Sequence, residues 1–257
     1  RELRLEAAKS DNSECKAMLE EIYIRKYTVH VALVGKYIKL HDAYISVAEA
    51  MRHGGYETSS HVLIPWLESE KITKDTVDDI LKDMDGIVVP GGFGDRGIEG
   101  MILAANYART HKIPYLGLCL GMQIATIEFA RNVLGYKDAN SEEFDPNSTH
   151  KVIALMPEQH AVKDKGASMR LGSYPCVVKK NTKMYQAYKE ELIHERHRHR
   201  FEFNNEFRTQ FEEKGLVIGG TSPDNHLVEE VELSDHPFYV GVQFHPEFKS
   251  RPTNAHP

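Results

Sequence analysis

Short apolar runs alternate with amphipathic stretches along the first half of the chain. The apolar runs have the length of strands and lie at residues 28–35, 60–66, 86–90 and 113–118. Helical periodicity covers residues 42–53, 76–84, 98–109 and 123–133, and the pair Gly54-Gly55 is predicted to end the first of these helices. Strands that alternate with helices of about 10–15 residues predict βαβ units and a mostly parallel sheet covered on both faces.

After about residue 140 the pattern changes to short strands with few helices between them. The strand-like runs lie at residues 152–156, 174–179, 216–219, 227–233 and 238–244. Residues 1–27 are charged and only loosely periodic, which predicts a short helix and a linker and leaves 28–257 as the folded domain. The predicted fold class is therefore α/β, with a mostly parallel central sheet flanked by helices and a strand-rich second half.

Composition narrows the class of protein. With 257 residues and 41% hydrophobic content, the chain can bury a sizeable core. It contains no apolar stretch near the roughly 18 residues of a membrane helix and no signal peptide, and its net charge of −6 argues against general affinity for nucleic acid or anionic membranes. Three cysteines favour a reducing, cytoplasmic compartment over a disulfide scaffold. Because the chain opens at Arg1 rather than methionine, we expect it to be a piece of a longer protein.

The sharpest local motif is Gly117-Leu-Cys-Leu-Gly121, which lies between an apolar strand and a helix. A tight strand-to-helix turn exposes its central side chain at the carboxyl edge of the sheet and needs small neighbours for close backbone approach. The helix N-terminus would also stabilise a thiolate at Cys119. An isolated cysteine is more often a buried structural residue. The flanking glycines and the preceding strand favour a nucleophile here.

A nucleophilic cysteine needs a base and a group that orients the base. The segment Gln243-Phe-His-Pro-Glu247 follows a strand and offers both, with His245 as the base and Glu247 as the orienting carboxylate. In an extended backbone these two side chains point the same way. A single histidine at a strand end is otherwise a solvated or capping residue, so the pair becomes persuasive only beside Cys119.

A glycine-rich segment, Gly91-Gly-Phe-Gly94, follows a third predicted parallel strand. Consecutive glycines allow backbone N–H groups to converge on an oxyanion, although a sharp turn between strand and helix would use the same residues. The segment matches neither a dinucleotide-binding fingerprint nor a Walker phosphate loop.

The run from His194 to Arg200 accounts for much of the histidine content, which is 14 residues in all. Three imidazoles, at His194, His197 and His199, could suggest a metal site. The interleaved arginines would repel a cation, and no carboxylate or cysteine cluster completes a ligand set. A strand that presents cationic groups to an anionic ligand or a partner is the favoured interpretation.

Together these motifs resemble the class I (triad) glutamine amidotransferases, and within them the glutaminase domains of CTP synthases. The resemblance covers roughly residues 28–252 and rests on blocks that begin at Val34, Pro90, Pro114, Ala139, Met169, Glu195 and Gln243. The blocks Asn140-Ser-Glu-Glu-Phe144 and Arg196-His-Arg-His-Arg200 distinguish this family from other amidotransferases. The resemblance implies a flavodoxin-like strand order in the parallel part of the sheet.

The resemblance also implies roles for individual residues. Cys119 would be the nucleophile, His245 the acid and base, and Glu247 its orienting carboxylate. The backbone N–H groups of Gly92 and Leu120 would form the oxyanion hole.

The implied glutamine pocket uses three further side chains. Gln123 and Glu143 would line it, with Glu143 suited by charge to the substrate α-ammonium group. Arg200 would help to bind the α-carboxylate.

For the full-length protein, the resemblance implies a synthase domain on the same polypeptide, homo-oligomers, and ammonia transfer to UTP with ATP and Mg²⁺. It implies no cofactor and no metal in this domain, and GTP as an allosteric activator. Residues 156–169 correspond to a lid-like region, where Gly166-Ala-Ser stands in place of the usual Gly-Gly-Thr. We therefore expect an altered response to GTP.

Two other functions fit parts of the pattern. A γ-glutamyl hydrolase of the same fold would cut peptides, but Glu143 and Arg200 would close the pocket around a free amino acid. A regulatory module could bind glutamine without turnover, but the intact Cys119, His245 and Glu247 argue against it.

Overall fold

In the computed structural model, which describes residues 11–155 and 169–257, the first apolar run forms a central strand, β1 (Tyr27–Gly35). The other strands of the first half are β2 (Ser60–Leu63), β3 (Trp66–Glu68), β4 (Gly86–Val89) and β5 (Tyr115–Leu118). The helices are α1 (Ser13–Tyr23), α2 (Ile45–Glu57), α3 (Val77–Leu81), α4 (Ile98–His111) and α5 (Leu120–Phe129). The predicted alternation of strands and helices is confirmed.

The second half is strand-rich, as predicted. Its strands are β6 (Asn140–Ser141), β7 (Lys151–Leu155), β8 (Arg170–Val178), β9 (Leu192–His199), β10 (Phe201–Phe203), β11 (Leu216–Thr221), β12 (Val228–Leu233) and β13 (Tyr239–Val242). Among the residues of this half that the structure describes, 140–155 and 169–257, the short helices α6 (Lys183–Tyr188) and α7 (Arg208–Glu213) lie between the strands. The lid-like segment expected at 156–169 falls almost entirely on residues 156–168, outside the described ranges.

Among the described residues, one ten-stranded sheet joins both halves of the chain. Its order is β2-β1-β4-β5-β13-β12-β11-β8-β9, with β3 also paired to β1. The strands from β2 to β13 in this order are parallel, and those from β13 to β9 are antiparallel. The α/β class with a largely parallel central sheet is therefore confirmed. Strand β13 connects the two parts, because it pairs with β5 on one side and with β12 on the other.

The strand predicted at 60–66 is wrong in one respect, because it is divided in two at Pro65. Strand β2 pairs with the first part of β1 and β3 with the last part. Proline has no N–H for a ladder hydrogen bond. The Pro65 carbonyl instead accepts from the Leu33 N–H at 2.9 Å, which keeps the chain against β1 across the break.

The predicted helix end at Gly54-Gly55 is also wrong, since α2 continues to Glu57. Gly55 does not end the helix; it allows close packing. A Cβ atom at this position would lie 2.8 Å from the Ser60 carbonyl oxygen and 2.8 Å from a methyl group of Val62. The glycine therefore lets the end of α2 lie directly against β2.

Helix α5 begins at Leu120, three residues earlier than the periodicity predicts, and all ten of its residues are buried. One of them is a charged residue, Glu128, which is fully buried. Its carboxylate accepts two hydrogen bonds from Arg109 at 2.8 Å each and one from Asn106 at 2.8 Å. A buried carboxylate is tolerated when it is paired in this way.

In the described part of the chain, no helix is long and apolar enough to cross a membrane.

Candidate active site

Four neighbouring parallel strands end at one edge of the sheet. Lys36 follows β1, the segment Gly91–Gly94 follows β4, Cys119 follows β5, and His245 lies three residues after the end of β13. Because β1, β4, β5 and β13 are adjacent and parallel, their carboxyl ends meet at this edge. Ligands bind at this edge in open α/β sheets.

Cys119 lies in a strained turn between β5 and α5. Its φ of 53° and ψ of −99° are rare for a residue with a side chain. The flanking glycines allow the turn, since a Cβ atom on Gly117 would lie 2.5 Å from the backbone of Gly121, and one on Gly121 would overlap the carbonyl oxygen of Val89. The backbone N–H of Cys119 donates to the Val242 carbonyl at 2.7 Å. The turn is thus held by close backbone contacts on both sides, as the glycine spacing predicts.

His245 and Glu247 meet as the sequence predicts. The two side chains share a hydrogen bond of 2.7 Å between His245 Nδ1 and Glu247 Oε1. Burial lowers the pKa of His245, but hydrogen bonds with Cys119 and Glu247 outweigh it and raise the pKa to about 10. The imidazole is therefore protonated near neutral pH and lies beside the cysteine sulfur. This is the charge arrangement of an activated Cys–His pair.

The glycine-rich segment packs against both Cys119 and His245. A Cβ atom on Gly91 would lie 2.8 Å from Cε1 of His245 and 3.7 Å from Cβ of Cys119. Gly92 is next to Leu120, because a Cβ atom on Gly92 would lie 3.1 Å from a methyl group of Leu120. Leu120 is the first residue of α5, so its N–H has no partner within the helix. The two residues proposed for the oxyanion hole are therefore neighbours beside Cys119, and their role stays a prediction.

Lys36 holds this segment in place, and the sequence reasoning did not single it out. Its ammonium group donates to the carbonyl oxygens of Phe93, at 3.1 Å, and of Gly94. Burial lowers the pKa of Lys36 to about 8. Its place directly after a buried parallel strand is the signal that could have identified it.

The proposed glutamine-pocket residues line one small cleft beside the nucleophile. The cleft is bounded by Gly92, Phe93, Cys119, Gln123, Glu143, His199, Arg200 and Phe201. Glu143 accepts a hydrogen bond from the Gly94 N–H at 2.8 Å, which ties the glycine-rich segment to the cleft. Gln123 is buried and donates to the Phe201 carbonyl at 3.2 Å. The structure thus brings Gln123, Glu143 and Arg200 together with Cys119, and their roles in substrate binding stay predictions.

A second cavity, of about 290 Å³, is also lined by Cys119. His245, Glu247 and Phe93 line it together with Arg198 and Phe248. The Phe248 ring stacks on His245 with the ring centres 5.1 Å apart. Cys119 therefore borders both the cleft and this cavity.

The His194–Arg200 run lies on strand β9 and its end, as expected, and of its three histidines only His194 is exposed. Along β9 the arginines Arg196 and Arg198 face solvent, whereas His197 and His199 are buried. His199 Nδ1 lies 3.2 Å from the Phe201 carbonyl, which can only accept, and His199 Nε2 therefore accepts from His197 Nδ1 at 2.8 Å. Within the described residues no group of three or more His, Cys, Asp or Glu could hold a metal ion.

Burial makes this histidine pair neutral, and the consequence can be measured. It lowers the pKa of His197 to about 2 and that of His199 to about 3. Both lie below the 6.5 of an unperturbed histidine, so the unfolded chain binds protons that the folded chain does not. The contribution of these two histidines to the free energy of unfolding is complete above pH 6.5. This contribution is lost as the pH falls toward 3, by up to about 1.4 kcal/mol per pH unit for each histidine.

Glu202 acts in the opposite direction, since burial raises its pKa to about 8 from 4.5. The contribution of Glu202 to the free energy of unfolding is complete below pH 4.5 and is lost as the pH rises toward 8.

In a titration followed by NMR, the rings of His197 and His199 should keep the chemical shifts of neutral imidazole from pH 7 down to about 4. The same rings in the urea-unfolded chain are the control. A transition above pH 5 for both rings of the folded chain would contradict the assignment.

Comparison with known proteins agrees with this geometry. Residues 39–257 match the family model described as glutamine amidotransferase class-I. CTP synthases from Caldanaerobacter subterraneus and Clostridium acetobutylicum are 60% and 57% identical over 99% and 100% of this chain. The chain spans about half the length of these relatives, 48% in each case.

A solved structure is also similar. The glutaminase domain of the Trypanosoma brucei CTP synthase, with bound acivicin, is 40% identical, with a TM-score of 0.83 over 89% of both chains. The shared fold, the Cys-His-Glu arrangement and these matches lead to one conclusion. The chain belongs to the class I glutamine amidotransferase family, among the glutaminase domains of CTP synthases.

Proposed function

We propose that this chain hydrolyses L-glutamine to glutamate and ammonia through a thioester on Cys119. The observation that carries the proposal is the Cys119 turn, which holds the sulfur beside a protonated His245 and at the N-terminus of α5. A thiolate is the nucleophilic form of cysteine, and both neighbours stabilise it.

The reaction follows from the positions of these groups. The Cys119 thiolate attacks the γ-amide carbon, and the N–H groups of Gly92 and Leu120 bind the oxyanion. His245 then gives its proton to the departing ammonia as the thioester forms. The neutral imidazole next takes a proton from water, which attacks the thioester and releases glutamate. Glu247 keeps the imidazole oriented through the bond to Nδ1 in both steps.

Free glutamine is the proposed substrate because the cleft offers opposite charges to both ends of an amino acid. Glu143 would pair with the α-ammonium group, and Arg200 with the α-carboxylate. Gln123 lines the same cleft. A glutamine residue inside a peptide would have neither a free α-carboxylate nor a free α-ammonium group to meet these charges.

The role of the whole protein is proposed from its relatives. Ammonia released here would aminate UTP to CTP on a synthase domain of the same polypeptide, with ATP and Mg²⁺ bound there and GTP as activator. We propose that the glutaminase step itself uses no cofactor, since Cys119, His245 and Glu247 supply the nucleophile, the acid and the orienting group. We also propose a homo-oligomer and a reducing, cytoplasmic compartment, and the compartment fits the free thiols of all three cysteines.

The test is glutamate release from glutamine by the 257-residue chain, alone and then with the synthase half, ATP, UTP and GTP. We expect slow hydrolysis alone, faster hydrolysis in the mixture, and CTP only in the mixture. Release of glutamate from γ-glutamyl peptides but not from glutamine would favour the peptide hydrolase. Glutamine binding without any turnover, both by the chain alone and in the mixture, would favour the regulatory module.

The change Glu143→Gln should raise the KM for glutamine by about tenfold or more and leave kcat nearly unchanged. The amide keeps an oxygen to accept from the Gly94 N–H but loses the charge that meets the α-ammonium group. A charge-assisted hydrogen bond of this kind contributes about 1.5–3 kcal/mol. Steady-state kinetics of the purified variant measure the effect.

The neighbouring Glu142→Gln is the matched control. Glu142 accepts a hydrogen bond from the Leu155 N–H at 3.0 Å and does not line the cleft. Its KM should equal that of the unchanged chain. Equal KM values for both variants would mean that Glu143 does not bind the substrate.

A further inference from the structure

Gln243 is a buried amide beside the nucleophile that the reaction above does not use. It is 0% exposed and lies just after β13, two residues before His245. Its Nε2 atom is 3.7 Å from Cys119 Sγ, within hydrogen-bonding range for sulfur. Its backbone N–H donates to the Glu229 carbonyl at 2.8 Å, which anchors the residue to β12.

The hydrogen bonds around Gln243 determine which end of the amide faces the sulfur. The Phe201 carbonyl can only accept, so Gln123 presents its NH₂ group there, at 3.2 Å. The same NH₂ group is 3.3 Å from Oε1 of Gln243. The oxygen of Gln243 is therefore engaged as an acceptor, and its NH₂ group faces Cys119.

We propose that Gln243 is a positioning residue that donates an N–H to the Cys119 sulfur and holds the thiolate toward the substrate cleft. A hydrogen bond to a charged form favours that form. A series of hydrogen bonds also runs from the Phe201 carbonyl, in the wall of the cleft, through the side chains of Gln123 and Gln243 to the Cys119 sulfur. The part of the inference that concerns substrate rests on the proposed glutaminase function, whereas the donor to sulfur does not.

The charged and titratable groups near the sulfur belong to other residues. His245, paired with Glu247, follows β13, and Arg198 lines the same cavity as Cys119. Glu143, Arg200 and the buried His199 share the cleft with it. Removal of the Gln243 amide therefore leaves every charge in place. A change in the titration of Cys119 would then report the lost neutral donor.

The decisive variant is Gln243→Met, which keeps the length of the side chain and removes the N–H. The rate of Cys119 alkylation by iodoacetamide, mapped by mass spectrometry, is measured against pH in the 257-residue chain. We expect the midpoint of this profile to move upward by about one pH unit. For glutamine, kcat should fall by about tenfold near pH 7, with little change in KM.

Gln243→Glu is the second variant, since a carboxylate of the same shape accepts from Gln123 but places a negative charge at the sulfur. Its midpoint should move upward further than that of Gln243→Met. The matched control is Gln210→Leu, a glutamine change in α7 that is not part of the site; its profile should be unaltered. Circular dichroism before each titration shows which variants are folded.

An unaltered alkylation profile in either folded variant would overturn the proposal. Because alkylation needs no glutamine, this result is separate from a failure of the proposed function. A shifted profile without glutamine hydrolysis by the unchanged chain would support the donor to sulfur and reject the glutaminase. A drop in kcat without a shifted profile would assign Gln243 a purely structural role.

Discussion

Replacement of Cys119 by serine is expected to lower kcat for glutamine hydrolysis by about 10⁴-fold or more. A serine hydroxyl is not deprotonated near neutral pH and is a much weaker nucleophile than a thiolate. Glutamate release by the purified variant measures the loss. The fold should be retained, because serine is as small as cysteine and keeps the same backbone contacts.

The other two cysteines provide the controls. Cys15 is exposed on α1, and Cys176 is buried in β8, where burial raises the pKa of its thiol. Among the described residues, neither thiol has a hydrogen bond with an imidazole that could serve as its base. Cys15→Ser should retain full activity, and iodoacetamide should label Cys119 much faster than Cys15 or Cys176. Equal labelling of all three thiols, or full activity of Cys119→Ser, would exclude Cys119 as the nucleophile.

The change Gly121→Ala should destabilise the chain by about 3 kcal/mol or more and remove activity with it. The new methyl group would overlap the backbone carbonyl of Val89, and neither β4 nor α5 can move without breaking its packing in the core. Urea unfolding followed by circular dichroism gives the loss in free energy of unfolding.

Gly54→Ala is a matched control with the opposite sign. Gly54 lies inside α2, and a Cβ atom there would meet nothing within 4 Å. Alanine is favoured over glycine in helix interiors by about 1 kcal/mol, so this variant should be slightly more stable than the unchanged chain. Similar losses of stability in both variants would mean that the contact with Val89 does not determine the cost.

Much of the fold could be predicted because its signals are local. Periodicity identifies β1, β4, β5 and α4 within a few residues, and the alternation of these elements implies parallel pairing. The errors arise where neighbours in space override the local preference. Gly55 continues a helix because it packs against β2, and Pro65 divides a strand because its carbonyl bonds to Leu33.

The candidate site could be predicted in part for the same reason. Cys119, His245 and Glu247 each follow an apolar run, and their spacing from glycine or proline is visible in the chain. Which residues of β9 are buried could not be predicted, because an alternating sequence does not tell which face packs inward. The buried face carries His197 and His199, and the arginines face solvent.

The sequence by itself determined the features that depend on residues close along the chain. These are the strand-turn-helix around Cys119, the adjacent His245 and Glu247, and the alternation that makes the sheet parallel. Tertiary structure alone decided which side chains meet across the site. Lys36 contacts the Phe93 carbonyl 57 residues away, and Gln243 contacts the Cys119 sulfur 124 residues away. Such contacts depend on the order of strands in the sheet, which brings distant carboxyl ends together and leaves no periodic trace in the sequence.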